Sequence, residues 1–212
     1  MKKRIILETL HYADIFDYPL TADEIKKFLV GTADATFEET LMQISADLVL
    51  IHVDNFYCLP GREEIVGLRR RREEWSKPKS RKAQRIASLL KFIPWIKLIG
   101  VTGALAMGNS DEEDDIDLMI ITSSGRLWLT RGLVATFLLL TGQYRRASKI
   151  KNRICPNLML SEKALEFPDR DLFTAHEIVQ MKPIFERGNT YQKFLWANKW
   201  IKDFLPNWRP DV

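Results

Sequence analysis

Two aspartates separated by one residue are the side chains of this chain that are best placed to do chemistry. Asp115 and Asp117 begin the segment Asp115–Ile121, which is rich in aliphatic residues and which we predict to be a strand. Because side chains alternate between the two faces of a strand, both carboxylates point the same way. Paired carboxylates suit Mg²⁺, which keeps several waters and also binds substrate phosphates. The spacing therefore predicts a Mg²⁺ site.

A glycine follows the preceding predicted strand, Ile96–Val101, and begins a short helical stretch. Gly103 has no side chain, so a phosphate can approach its backbone closely, and free N–H groups at a helix start favour an anion. We expect the backbone amides of Gly103 and Ala104 to bind phosphate. Asn109 and Ser110, on the loop before the aspartates, are candidates for contact with a nucleotide. A phosphate cradle beside a metal pair is typical of phosphoryl-type transfer.

The stretch from Ile96 to Thr122 resembles the signature of the DNA polymerase β-type nucleotidyltransferase superfamily. The shared pattern is a strand, a glycine-containing turn, a short helix, a loop, and Asp-x-Asp at the start of the next strand, and the spacing from Gly103 to Asp115 fits it. The resemblance implies Mg²⁺-dependent transfer of a nucleotidyl group from a nucleoside triphosphate to an acceptor that the sequence does not identify. A partner protein is a further possibility. Nucleic acid is possible as a partner but is not favoured.

Two positions depart from the family pattern. Ala104 replaces a small polar residue after the glycine, which leaves only the backbone amide for phosphate. The family's third carboxylate aligns with Asn157 in the predicted strand Ile154–Leu160. Asparagine can ligate a metal through its carbonyl, but it adds no charge and cannot act as a base; Glu162 is a possible substitute. The alternative function is a catalytically degenerate module that senses nucleotide and binds DNA or protein.

Residues 1–61 are predicted to hold three short helices followed by a β-hairpin, the order of a winged helix-turn-helix. Capping-box patterns at Thr21–Glu24 and Thr36–Glu39 begin the second and third helices, and Asp54–Asn55 forms the turn of the hairpin. Ala13–Leu20 also resembles a winged helix that precedes such transferase domains in uncharacterised prokaryotic proteins. The expected recognition helix carries Glu38 and Glu39 and no Lys or Arg, so we favour contact with protein over contact with DNA.

The remaining residues are predicted to form a connector and the transferase domain. Residues 62–93 would form two connecting helices with a break at Ser76–Pro78, and residues 94–212 a nucleotidyltransferase-like domain with C-terminal helices. We interpret the basic run Arg69–Arg72 as a solvated helix face with nearby ion pairs. A later basic run, Arg145–Arg153, could contact a triphosphate or a nucleic acid. The predicted fold class is α+β: a winged helix, then a short mixed sheet with helical cover.

Composition agrees with a folded protein that acts away from membranes. The chain has 212 residues, of which 46% are hydrophobic and 28% charged, and a net charge of +4; such proportions allow a packed core. The longest apolar run, Leu133–Leu140, is far shorter than the roughly 20 residues that span a bilayer. Met1–Arg4 is followed by no apolar signal core, so we expect no secretory leader. Cys58 and Cys155 are expected to be free thiols in a reducing cytoplasm.

Overall fold

The computed structural model describes residues 2–33 and 36–210, and it divides the chain into two compact units. Unit 1 comprises Met1–Arg71 and Trp200–Val212, and unit 2 comprises Arg72–Lys199. Unit 1 holds α1 (Lys2–Asp14), α2 (Ala22–Lys27), α3 (Phe37–Ala46), β1 (Ile51–Val53), β2 (Phe56–Cys58) and α9 (Ile201–Phe204). Helix α4 (Glu64–Leu90) begins in unit 1 and continues into unit 2.

In unit 1, local sequence signals account for most of the element boundaries. The capping box at the start of α2 is confirmed: the Thr21 hydroxyl accepts from the Glu24 N–H at 3.2 Å, and the Glu24 carboxylate accepts from the Thr21 N–H at 2.9 Å. The box predicted at Thr36 is wrong, because its side chain makes no capping hydrogen bond to α3. Strands β1 and β2 form the predicted antiparallel hairpin, in which Val53 pairs with Phe56.

Arg69 overturns the interpretation of its basic run as a solvated face. Its side chain is buried and donates to both carboxylate oxygens of Glu24, at 2.7 and 2.8 Å, while its guanidinium lies 4.1 Å from the centre of the Tyr18 ring. Burial acts to raise the pKa of Glu24, but the hydrogen bonds and charge of Arg69 outweigh it and lower that pKa. Glu24 lies 45 positions from Arg69 in the sequence, whereas helical spacing predicts ion pairs between residues three or four positions apart.

Unit 2 is built on a four-stranded mixed sheet, so an α+β fold with a small mixed sheet and helices is confirmed for this unit. The strand order is β5–β4–β3–β6; β3 pairs antiparallel with both β4 and β6, and β4 pairs parallel with β5. The strands are β3 (Ile96–Val101), β4 (Ile116–Thr122), β5 (Ile154–Ser161) and β6 (Lys182–Glu186), and the helices besides α4 are α5 (Gly103–Ala106), α6 (Leu127–Leu140), α7 (Leu172–Gln180) and α8 (Thr190–Ala197). Edge strand β6 was not predicted.

Buried aliphatic side chains from β3, β4 and α6 form the core of unit 2. Ile99, Leu118 and Ile120 belong to the strands of this cluster, and Val134 and Leu138 belong to the helix; all five have no exposed surface. The two central strands are therefore buried on both faces, which explains their continuous aliphatic sequences. This rigid centre holds the start of β4, where the aspartate pair lies.

Helix α4 is continuous through Pro78, so the predicted break at Ser76–Pro78 is wrong. A proline within a helix removes one hydrogen bond and usually kinks or ends the helix. Here the flanking residues Ser76 and Lys79 are buried, and their side chains bond to the loop before β4. These tertiary contacts hold both turns next to the proline, which the local sequence could not indicate.

The helical segment near the C-terminus is divided into two helices, α8 and α9. The chain leaves the helical path at Asn198, whose fully buried amide donates to the carbonyls of Leu165, at 2.8 Å, and Phe194, at 2.9 Å. Trp196 on α8 is 75% exposed. None of the helices in the described part of the chain combines the length and apolar character that crossing a bilayer requires.

Candidate functional site

The aspartate pair lies at the start of the central strand β4. Asp115 directly precedes the strand, Asp117 is its second residue, and the Asp117 carbonyl accepts from the Thr102 N–H at 3.1 Å. One oxygen from each carboxylate and the sulfur of Cys155 all lie within 4.8 Å of one another. The described residues thus contain an Asp–Asp–Cys group that could hold a metal ion.

Cys155 is the site residue that the sequence analysis missed. It is the second residue of β5, and the parallel pairing of β4 with β5 sets it opposite Asp117. Asn157, the predicted third ligand, is exposed and lies where the register shifts between the pairs Asp117–Cys155 and Met119–Leu158. Ligation by Asn157 stays a prediction. Cys155 belongs to the same predicted strand as Asn157, which made it a candidate, but the register that places it opposite Asp117 is not visible in the sequence.

Gly103 packs directly against one of the two carboxylates. Its φ of +62° lies in the left-handed region, and a Cβ at this position would lie 3.2 Å from the Asp117 Oδ2 atom. Any other residue here would be strained and would press on the carboxylate. The close approach of the turn to Asp117 is therefore a specific requirement for glycine. Phosphate binding by the amides of Gly103 and Ala104 stays a prediction.

Asn109 and Ser110 attach the loop before the aspartates to α4. Ser110 is 1% exposed; its hydroxyl accepts from Lys79 Nζ at 2.9 Å, and its N–H donates to the Ser76 hydroxyl at 3.2 Å. The Asn109 side-chain oxygen accepts from Arg72 at 3.3 Å. These bonds fix the path of the loop. Contact of either residue with a nucleotide stays a prediction.

Lys79 is the buried centre of this attachment, and its role was not predicted. With 2% of its surface exposed, it donates to the Ser110 hydroxyl and to the carbonyls of Asp111 and Asp114, the last at 2.9 Å. Burial lowers its pKa. The Asp114 carboxylate in turn accepts from the Asp111 N–H at 2.7 Å. Asp111 and Asp114 therefore stabilise the loop before β4.

Burial and the charge of Asp115 raise the pKa of Asp117. Ionised Asp117 consequently lowers the free energy of unfolding. The sign follows from linkage: an acid with a raised folded-state pKa destabilises the fold above that pKa, and the cost is relieved as pH falls through it. Glu177 on α7 has its pKa raised in the same way, by burial and by the charge of Asp117. This part of unit 2 thus concentrates negative charge.

We expect Asp117→Asn to raise the free energy of unfolding at pH 7 by about 1 kcal/mol, because it removes a buried negative charge that destabilises the folded state. Urea denaturation at pH 7 and again at acidic pH measures the effect. The advantage over the wild type should shrink at acidic pH, where Asp117 itself becomes protonated. Glu112→Gln, which neutralises an exposed carboxylate, is the control. A loss of stability in Asp117→Asn at pH 7 would contradict the argument.

A positive side chain already lies against the other carboxylate. Arg145 Nε is 2.7 Å from Asp115 Oδ2, and the arginine side chain remains half-exposed while Asp115 is mostly buried. Arg145 belongs to the basic run before β5, so this run reaches the aspartate pair. The guanidinium partly neutralises the pair and repels a second cation at the same carboxylate.

Removing this charge by Arg145→Gln should tighten the binding of a divalent ion in the absence of nucleotide. The repulsion of a nearby unit charge at a half-exposed site is about 1 kcal/mol, or about fivefold in Kd. Electron paramagnetic resonance of Mn²⁺, in which the free-ion signal falls on binding, measures the change. Arg146→Gln is a matched control, since within residues 2–33 and 36–210 the exposed Arg146 has no ion pair. Equal affinities for the two variants would refute the role given to Arg145.

Burial, followed by the charges of Asp117 and Asp115, raises the pKa of the Cys155 thiol to about 11. The thiol is therefore protonated at neutral pH, and it donates a hydrogen bond to the Asp117 carboxylate. A protonated thiol is a poor nucleophile. In this state Cys155 is a neighbour and donor to the aspartate pair rather than an attacking group.

Comparison with known proteins identifies no family for the chain. No protein-family model matches it, and no curated protein matches it. Among solved structures, it is similar to a chain from a crystal structure of a toxin-antitoxin with AMP-PNP, with 16% sequence identity and a TM-score of 0.32. The match covers 56% of this chain and 84% of that chain. A likeness at this TM-score establishes neither fold nor function.

Proposed function

We propose that the chain is a nucleotidyltransferase of the DNA polymerase β type, which transfers a nucleoside monophosphate from a nucleoside triphosphate to an acceptor. The observation that carries the proposal is the convergence of the Asp115 and Asp117 carboxylates at the start of a buried central strand, with Gly103 packed against one of them. A metal pair beside a side-chain-free turn supports phosphoryl-type chemistry, which depends on positioning and charge neutralisation.

Asp115 and Asp117 would hold a divalent ion, and two carboxylates on their own fit Mg²⁺. The ion would supply positive charge that neutralises and orients the phosphates. The amides of Gly103 and Ala104 would bind a phosphate, while Lys79 would keep the loop before β4 in place. In the transfer, an acceptor oxygen bonds to the α-phosphorus, and the bond from that phosphorus to the bridging oxygen breaks. Pyrophosphate then leaves, and the acceptor proton passes to solvent.

For the N-terminal part we propose a winged helix-turn-helix over residues 1–61, a connector over 62–93 and the transferase domain over 94–212. The order of three helices and an antiparallel hairpin supports the winged helix. Its third helix, α3, has Glu38 and Glu39 in the first turn, and Glu38 pairs with Lys26 at 2.7 Å. An acidic helix start repels the phosphates of DNA, which supports contact with a partner protein.

Labelled nucleotides test the proposed reaction directly. The chain is incubated with divalent ions, fractionated cell extract, and each triphosphate labelled either at the α- or at the γ-phosphorus. Nucleotidyl transfer attaches the α-label to an acceptor and releases the γ-label in pyrophosphate, whereas a kinase would attach the γ-label. Transfer of the γ-label alone, or of neither label with any of the four triphosphates, would reject the proposal. The fraction that takes up label identifies the acceptor class.

A second candidate is a degenerate module that senses nucleotide without transfer. The observation that favours it is Cys155: the group that surrounds the two aspartates contains a thiol rather than a third carboxylate. Under this alternative the triphosphate binds with a metal and is recovered unchanged, and only binding to a partner responds to nucleotide. The labelling experiment separates the two, because a sensor leaves both labels on the triphosphate.

A further inference from the structure

We propose that Cys155 is the third ligand of the metal site, and that the site therefore binds a thiophilic divalent ion of the Zn²⁺ and Cd²⁺ class more tightly than Mg²⁺. The inference deepens the proposed function and rests on it, since it assumes that Asp115 and Asp117 hold the metal. It adds a ligand and a metal preference that the aspartate spacing does not predict.

The geometry brings the three side chains together from two neighbouring strands. Asp117 and Cys155 are paired in the parallel register of β4 with β5, and Asp115 lies two residues before Asp117. The two oxygens and the sulfur lie within 4.8 Å of one another. An ion bonded at about 2.0–2.3 Å to each of its ligands would draw these atoms to within about 3–4 Å. The three ligand atoms would therefore move closer together when an ion binds.

The ligand set decides which ion fits. Mg²⁺ demands oxygen ligands in near-octahedral geometry and binds sulfur poorly, so a thiol next to the aspartates reduces the fit of the site to Mg²⁺. Zn²⁺ accepts both carboxylate oxygen and cysteine thiolate, so the proton of the Cys155 thiol passes to solvent as the metal–sulfur bond forms. Its catalytic sites typically have three protein ligands and leave a fourth position for water or substrate. Two aspartates and one cysteine match that count.

Two further contacts bear on how an ion would bind. Arg145 lies 2.7 Å from Asp115 and repels a second cation at that carboxylate, so the three ligands must outweigh this repulsion. Gly103 has no side chain to clash with Asp117 Oδ2, from which a Cβ would be only 3.2 Å away. The backbone of the turn thus closes off this side of the carboxylate. The Asp117 carboxylate is therefore confined on the side of the turn and faces Cys155, from which it accepts a hydrogen bond.

Titration of the full chain with Cd²⁺ tests the proposal, because sulfur bonded to Cd²⁺ gives a charge-transfer band in the near ultraviolet. The wild type should develop this band at one equivalent, and millimolar Mg²⁺ should not remove it. Cys155→Ser should lose the band and weaken Cd²⁺ binding at least about tenfold. The chain has a second cysteine, Cys58, which is buried in unit 1 and serves as the control: Cys58→Ala should keep the band. A band that persists in Cys155→Ser, or unchanged Cd²⁺ affinity in that variant, would overturn the proposal.

Cys155→Asp is a second variant that keeps the site ionic while it removes sulfur. We expect it to lose the Cd²⁺ band and to bind Mg²⁺ more tightly than the wild type does, and no gain in Mg²⁺ affinity would count against the proposal. Failure of the inference is distinguishable from failure of the proposed function. Nucleotidyl transfer by the wild type, together with a Cd²⁺ affinity that is unchanged in Cys155→Ser, would refute the third ligand and leave the function intact. A Cd²⁺–sulfur band without any nucleotide transfer would refute the function and leave the ligand set intact.

Discussion

Asp115→Asn is expected to lower the rate of nucleotidyl transfer by about 10³-fold, which corresponds to about 4 kcal/mol of lost transition-state stabilisation. The substitution removes one negative charge from the metal pair, and metal ions contribute several kcal/mol of charge stabilisation to such reactions. The fold should survive, because the ion pair with Arg145 is partly exposed and contributes little to stability. The rate is measured by transfer of the α-label from the triphosphate at saturating metal.

Glu112→Gln provides the control for this change. It removes the same charge three residues earlier, from an exposed side chain that pairs with Lys151 at 2.7 Å. We expect its transfer rate to stay within about twofold of the wild-type rate, since surface ion pairs have small effects. Equal losses in the two variants would mean that the overall charge of the loop, rather than the aspartate pair, supports the reaction.

Lys79→Ala is expected to lower the free energy of unfolding by about 2–4 kcal/mol. The substitution removes three hydrogen bonds from a buried charged donor and leaves the Ser110 hydroxyl and two backbone carbonyls without it. These groups belong to the loop that directly precedes Asp115. Urea denaturation measures the loss, and hydrogen exchange should locate the loosened amides in the loop before β4.

Lys77→Ala is a matched control on the same helix. Its side chain is exposed and pairs with Glu74 across one helical turn, so its loss should change stability by less than about 0.5 kcal/mol. If Lys79→Ala proved as mild as Lys77→Ala, the attachment of the loop to α4 would not depend on the buried amine. The hydrogen bonds that the structure describes for the Lys79 amine all go to this loop, so we expect Lys79→Ala to lower the transfer rate only as far as it destabilises the loop.

The sequence was most informative where local rules apply. The strand Ile96–Val101 and the short helix that begins at Gly103 follow from short-range patterns, and both match the structure. The convergence of Asp115 and Asp117 follows from the period of a strand alone. A carboxylate pair on one strand needs no knowledge of the rest of the fold.

The features that could not be predicted depend on residues far apart in the chain. Cys155 reaches the aspartates through the parallel pairing of β4 with β5, and nothing local distinguishes this register from one that would bring Asn157 there. Nothing in the local sequence distinguishes Lys79 from the exposed lysines, although its bonds to residues over 30 positions away keep it buried. The same contacts carry α4 through Pro78. In each case tertiary contacts outweigh the local preference.

Calorimetric titration with nucleoside triphosphates in the presence of Zn²⁺ or Mg²⁺ tests most directly whether Asp115 and Asp117 form a nucleotide site. The wild type should bind at least one triphosphate in a metal-dependent manner, and the Asp115→Asn, Asp117→Asn double variant should lose that binding. Circular dichroism of the double variant checks that it is folded. Absence of binding to the wild type up to about millimolar concentration, where weak sites still register, would contradict the proposed site, as would equal binding by the folded double variant.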